Sequence, residues 1–138
     1  SGYVLALCFA AFGSALGTSA AGMAALGAWK KCFLQNKNAP FILVAFVGAP
    51  LSQTIYGMIL MNAIKGAPET VSPLTKFTIG LMGGLAMGLS AWLQGKAGAM
   101  ASDALTESKK GFGNYIMVLG IIETVALFVM VFLMTTLR

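Results

Sequence analysis

The chain contains four apolar stretches, over roughly 2–29, 41–64, 74–105 and 112–137. Each reaches the ~20 residues that a bilayer's hydrocarbon thickness demands of a single helix. Only 9% of the 138 residues are charged and 58% are hydrophobic, too little charge to solvate a water-soluble domain of this size. The pattern therefore predicts an all-α membrane protein with four transmembrane helices. No basic residues precede the apolar core of the first stretch, so it does not read as a signal peptide.

The net charge of +5 does not point to nucleic acid, because the lysines cluster at segment ends. Lys30, Lys31, Lys37, Lys109 and Lys110 lie in the first and third connections, against Lys65, Lys76 and Arg138 on the opposite side. That excess predicts loops 30–39 and 102–111 in the cytoplasm and both termini outside. Lys96, read as one turn inside the loop-side end of the third helix, is expected to snorkel toward headgroups. Cys8 falls within the first helix and Cys32 in the first loop. Neither placement suits a disulfide, and without histidine they form no metal set, so both read as bystanders.

The first half of the chain echoes the second. Gly13-Ser-Ala-Leu-Gly17-Thr-Ser19 aligns with Gly84-Leu-Ala-Met-Gly88-Leu-Ser90, and Leu51-Ser-Gln53-Thr54-Ile55 aligns with Ile121-Ile-Glu123-Thr124-Val125. The expected organisation is two duplicated helical hairpins, 1–66 and 67–138, with Gln53 standing where the second copy has Glu123. Glycines four apart on the first and third helices let backbones approach closely. They serve either packing within the chain or the crowded inner wall of a closed ring, with bulkier helices two and four outside.

Glu123 is the only charged residue between Lys110 and Arg138. A bare carboxylate at mid-bilayer costs ~3 kcal/mol on insertion scales and more in simulations. It persists there only when neutralised by a proton, a cation or a partner, which makes it a candidate ion carrier. Ala49, Ser52, Gln53 and Tyr56, spaced i, i+3, i+4 and i+7, share one face of the second helix. Pro50 among them frees carbonyls over 46–49 from helical bonding. The third helix adds Gln94, with Ser90 a turn earlier on the same face. Glutamines in hydrocarbon are costly unless bonded, and their plain role is to glue helices together. Together Glu123, Gln53, Gln94, Ser52 and a freed carbonyl offer an all-oxygen cage for a small hard cation. A proton would need only the carboxylate, so the extra oxygens favour Na+ over H+. Tyr56 either hydrogen-bonds the carboxylate or fills space as an amphipathic side chain.

Gly-Ser-Ala-Leu-Gly (13–17), Ala-Pro-Leu-Ser-Gln-Thr-Ile-Tyr-Gly (49–57), Leu-Gln-Gly-Lys-Ala (93–97) and Ile-Glu-Thr (122–124) resemble the four-helix proteolipid of prokaryotic V-type ATPases. That family is the K or c subunit of the membrane rotor ring, and the resemblance covers nearly the whole chain. It implies a homo-oligomeric ring in a prokaryotic plasma membrane. The implied sodium ligands are Glu123, Gln53, Gln94, the Ser52 hydroxyl and the Ala49 carbonyl, with Tyr56 locking the carboxylate. Ser52 stands where Thr is more usual, Ala49 where a larger residue is common, and Leu51 replaces a common Gly. The resemblance further implies a stator membrane protein bearing an arginine, and central-stalk proteins docking on the cytoplasmic loops. A neutral, ion-loaded Glu123 can turn through lipid, whereas the emptied anion cannot. The chain has no Gly-x-x-x-x-Gly-Lys-Ser/Thr motif, so it is expected to be non-catalytic, with nucleotide chemistry on other subunits. The rival expectation is a small four-helix secondary transporter exchanging cations at Glu123; it does not account for the glycine-rich helices or the paired hairpins.

Overall fold

The computed structural model describes residues 2–138, and its regular structure is entirely helical. Four helices are long and apolar enough to cross a membrane: α1 (Tyr3–Leu34), α2 (Phe41–Lys65), α3 (Pro73–Ser108) and α4 (Phe112–Thr135). Ser72 starts α3 by accepting the Thr75 N–H at 3.1 Å, and Pro73 occupies the first turn, where its missing N–H costs nothing.

Two helices run past their expected ends. α1 continues through Lys30, Lys31 and Cys32 to Leu34, and α3 through 106–108, so the first and third connections are shorter than their charge pattern suggested. The added residues include good helix formers, and no Gly or Pro intervenes before the chain turns left-handed at Asn36 (φ 53°) and Lys109 (φ 59°). At ~1.5 Å per residue, the 32 residues of α1 and 36 of α3 exceed a hydrocarbon layer of about 30 Å. The surplus stands clear at one end, where exposed Lys31 and Glu107 pair at 3.8 Å. Cys32 is accordingly not a loop residue but a buried one in the last turns of α1, while Cys8 is exposed and both thiols are free.

Lys96 is also displaced from its expected place. It lies three turns from the end of α3, and its ammonium rests 4.5 Å from the centroid of the Trp92 ring. Helical side chains tilt toward the helix N-terminus, which brings this ammonium onto the aromatic face one turn earlier.

α1 and α3 lie side by side and parallel, backbone against backbone. A Cβ on Gly13 would fall inside the Gly88 carbonyl, one on Gly84 would meet the Leu5 carbonyl, and one on Gly95 would overlap Gly17. The glycine faces of the two helices thus pack against each other within the chain, although Gly27 faces open space. α2 and α4 return antiparallel to this pair and present bulky residues outward, among them Ile55, Val125, Phe128 and Phe132.

α2 is not one continuous α-helix. It opens with a 3-10 turn at Phe41–Leu43, continues as α over Val44–Gly48, tightens again over Ala49–Leu51 at Pro50, and resumes as α over Ser52–Lys65. The proline ring cannot follow an α-helical turn without striking the carbonyl four residues back, so the chain shortens its bonding pattern there. Two apolar clusters fill the interior. One gathers Ala6, Ala10, Leu60, Met87 and Met130, and the other Ala25, Leu43, Phe46, Leu105 and Leu119. Between them, at the level of the Pro50 break, lies a layer of polar side chains.

Candidate ion-binding site

α4 places Glu123 near its middle, facing the stretch of α2 that follows Pro50. Ser52 Oγ lies 2.5 Å from Glu123 Oε1, and Tyr56 donates its hydroxyl to Oε2 at 3.1 Å. From α3, Gln94 Nε2 donates to Oε1 at 3.3 Å and to the Leu119 carbonyl at 2.8 Å. Gln53 Nε2 donates to Gln94 Oε1 at 2.9 Å and lies 3.4 Å from Ser90 Oγ, which itself donates to the Ile122 carbonyl at 3.1 Å. Every residue expected at the site on sequence grounds is therefore brought to one place.

The oxygens outnumber the protons. Ser52 Oγ lies near three acceptors: Glu123 Oε1, Gln53 Oε1 at 3.1 Å and the Ala49 carbonyl at 3.0 Å. A serine hydroxyl has one hydrogen and serves one of them at a time. The Ala49 carbonyl already accepts the Ser52 N–H of the 3-10 turn, leaving its second lone pair turned to the same spot. Carbonyl, amide, hydroxyl and carboxylate oxygens that converge with too few donors suit a hard cation.

Gln94 meets the carboxylate through its nitrogen rather than its oxygen. Its Oε1 is taken by Gln53, and its Nε2 by Leu119 and Glu123, so the amide is held in a relay across three helices. Gln53 and Gln94 are fully buried, at 0% and 1% exposure, which such a relay must satisfy. Glu123, Ser52 and Tyr56 are only half-buried. The carboxylate end thus opens between α2 and α4 onto the outer surface of the chain, among exposed Leu51, Ile55 and Val125. Among the described residues, Glu123 has no cationic side chain to neutralise it, since the single ion pair is the distant Lys31–Glu107.

Two parts of the network were not foreseen. The Leu119 and Ile122 carbonyls accept from Gln94 and Ser90. Every residue carries a carbonyl with a spare lone pair, so nothing in the side-chain pattern marks these two. Ser90, noted only for sharing a face with Gln94, bridges Gln53 to α4.

Residues 77–135, which span most of α3 and all of α4, match the family model for the ATP synthase C subunit. Across 124 residues, or 90% of its length, the chain is 32% identical to A-type ATP synthase subunit K of Methanocaldococcus jannaschii. It spans about half, 54%, of that relative's own length. One hairpin matches the family model and the likeness to the archaeal relative runs through both hairpins, which supports a c/K-type proteolipid subunit of an A/V-type ATPase.

Proposed function

We propose that the chain is a rotor subunit of a rotary ATPase, carrying Na+ across a prokaryotic plasma membrane on Glu123. The observation that supports this most strongly is the convergence of Glu123 Oε1, Gln53 Oε1 and the Ala49 carbonyl on one Ser52 hydroxyl. These oxygens form the cation cage. Gln94 fixes the carboxylate as a donor, and it joins the oxygens as a ligand only by giving up its bonds to Gln53 and Leu119. Tyr56 latches the free carboxylate oxygen. The surplus of acceptors favours Na+ over H+, because a proton needs one oxygen and a hard cation several.

Binding one cation cancels the charge of Glu123, so the loaded site tolerates an apolar surround and the emptied one does not. Copies of the chain form a closed ring, with α1 and α3 lining its inside and the half-open carboxylates facing outward. As the ring turns, each site meets a stator protein whose arginine receives the emptied carboxylate. Every charge moved gains or costs ~2.3 kcal/mol per 100 mV of membrane potential. The connection at 35–40 and the ends of α3 and α4 near 109–111 face the cytoplasm and dock the central stalk, and both termini lie outside. The chain itself is non-catalytic, and ATP is hydrolysed on other subunits. The echo between the halves supports the reading of 1–66 and 67–138 as duplicated units, the first having Gln53 in place of the carboxylate.

Binding of radiolabelled Na+ to the purified protein tests the reading. Saturable binding of a single ion per chain, absent from Glu123→Gln, is expected. Binding that survives this substitution would remove Glu123 from the carrier role.

A further inference from the structure

A cavity of 440 Å³ lies at the end of the molecule where α2 and α4 begin, away from the Glu123 layer. Its walls come from the ends of α1 and α3, the first connection, and the starts of α2 and α4. Its lining combines apolar Ile42, Leu105 and Phe112 with polar Lys37, Asn38 and Lys109. Ile42 and Phe112 stand in the first turns of membrane-length helices, whereas Lys37 and Lys109 sit in the connections above them. The cavity therefore lies where two membrane-length helices begin.

No acidic residue lines it. Asp103 and Glu107 line a neighbouring cavity of 310 Å³ that shares Lys37 and Lys109, but Glu107 is paired with Lys31. Among the described residues neither Lys37 nor Lys109 has an ion-pair partner. Lys109 is also held left-handed at the C-cap of α3 (φ 59°), a place that glycine fills without strain. A lysine there is a local cost that helix termination does not require. An outlier of this kind is reason to look for a use of the side chain.

We propose that this cavity binds the headgroup of an anionic phospholipid. The phosphate sits between Lys37 and Lys109, and an acyl chain lies along Ile42, Leu105 and Phe112. A soluble phosphate would leave the apolar wall exposed, and a central stalk docked on these connections would cover the mouth of the cavity while leaving that wall to lipid. Juxtamembrane lysines attract anionic lipid on general grounds; the cavity adds a place for one headgroup to be held.

Trp29 reports on the site, because its indole N–H donates to the carbonyl of Pro40, a residue of the cavity wall, at 2.7 Å. The experiment is competitive quenching of Trp29 by dibrominated phosphatidylglycerol and phosphatidylcholine, in a Trp92→Phe background reconstituted in bilayers. Phosphatidylglycerol is expected to be preferred several-fold, and the preference to fall to near one in Lys37→Gln/Lys109→Gln. Lys109→Gly separates binding from folding: it relieves the left-handed backbone, so thermal stability is expected to rise while the lipid preference drops. A preference near one in the parent protein, or one unchanged by these substitutions, would overturn the proposal. Quenching indifferent to headgroup, with an acidic peptide shielding Lys37 from amine labelling, would assign the cavity to a protein partner and overturn it equally.

Discussion

Ser52 is the residue on which the oxygen cluster turns, since its single hydroxyl touches the carboxylate, the Gln53 amide and the Ala49 carbonyl. Removing one oxygen ligand from a hard-cation site should weaken binding by about 1.5 kcal/mol, the lower end of the range for a lost hydrogen bond to a charged group. Ser52→Ala is therefore expected to raise the Na+ concentration for half-saturation by roughly tenfold, whereas Ser52→Thr keeps the hydroxyl and should stay close to the parent. Radiolabelled Na+ titration checks both. Tyr56→Phe removes the donor to Oε2 without touching the oxygen cage. It should speed Na+ exchange more than it changes affinity, as measured by isotope release. Much at this scale was legible beforehand. A carboxylate and two glutamines at bilayer depth are too costly to be idle, so Glu123, Gln53 and Gln94 announce themselves. The choice of the Ala49 carbonyl among those freed by Pro50 rested on family resemblance. The amide direction of Gln94 was not legible, because it depends on the Leu119 carbonyl across a helix boundary.

At the level of helices, the bend in α2 and the glycine seam between α1 and α3 do different work. Pro50 forces the 3-10 turn that presents the Ala49 carbonyl, so Pro50→Ala should let α2 run on as an α-helix. Thermal stability in detergent is expected to hold or rise while Na+ affinity falls, a pairing that simple misfolding would not produce. The seam is intolerant of any side chain. Gly88→Val puts branched carbons against the Phe9 carbonyl and should destabilise the protein by about 1–3 kcal/mol or more, read as a lower melting temperature. Hydropathy marked the four spans because lipid tolerates few alternatives. Their ends were less visible: beyond the apolar stretches, Lys, Leu and Glu continue a helix as readily as they form a loop, so the pattern does not reveal the extensions past 29 and 105.

For the whole molecule, a half-open site on the outer wall makes sense only if something completes it. Leu51, Ile55 and Val125 around Glu123 are exposed on the single chain, as are many bulky residues elsewhere on its surface. Lipid and neighbouring copies would cover them in the proposed ring. Native mass spectrometry of the detergent-solubilised protein should find one large closed assembly, whereas a dimer would favour a cation exchanger. Sequence pattern alone yields the four-helix architecture, but assembly is set by small angles between helices that no motif encodes. The most direct test of the central claim is carbodiimide modification of Glu123 at fixed pH, with and without Na+. The account predicts that Na+ slows the labelling in a saturable manner and that Ser52→Ala shifts this protection to higher Na+. Labelling that ignores Na+ and responds to pH alone would contradict the sodium site.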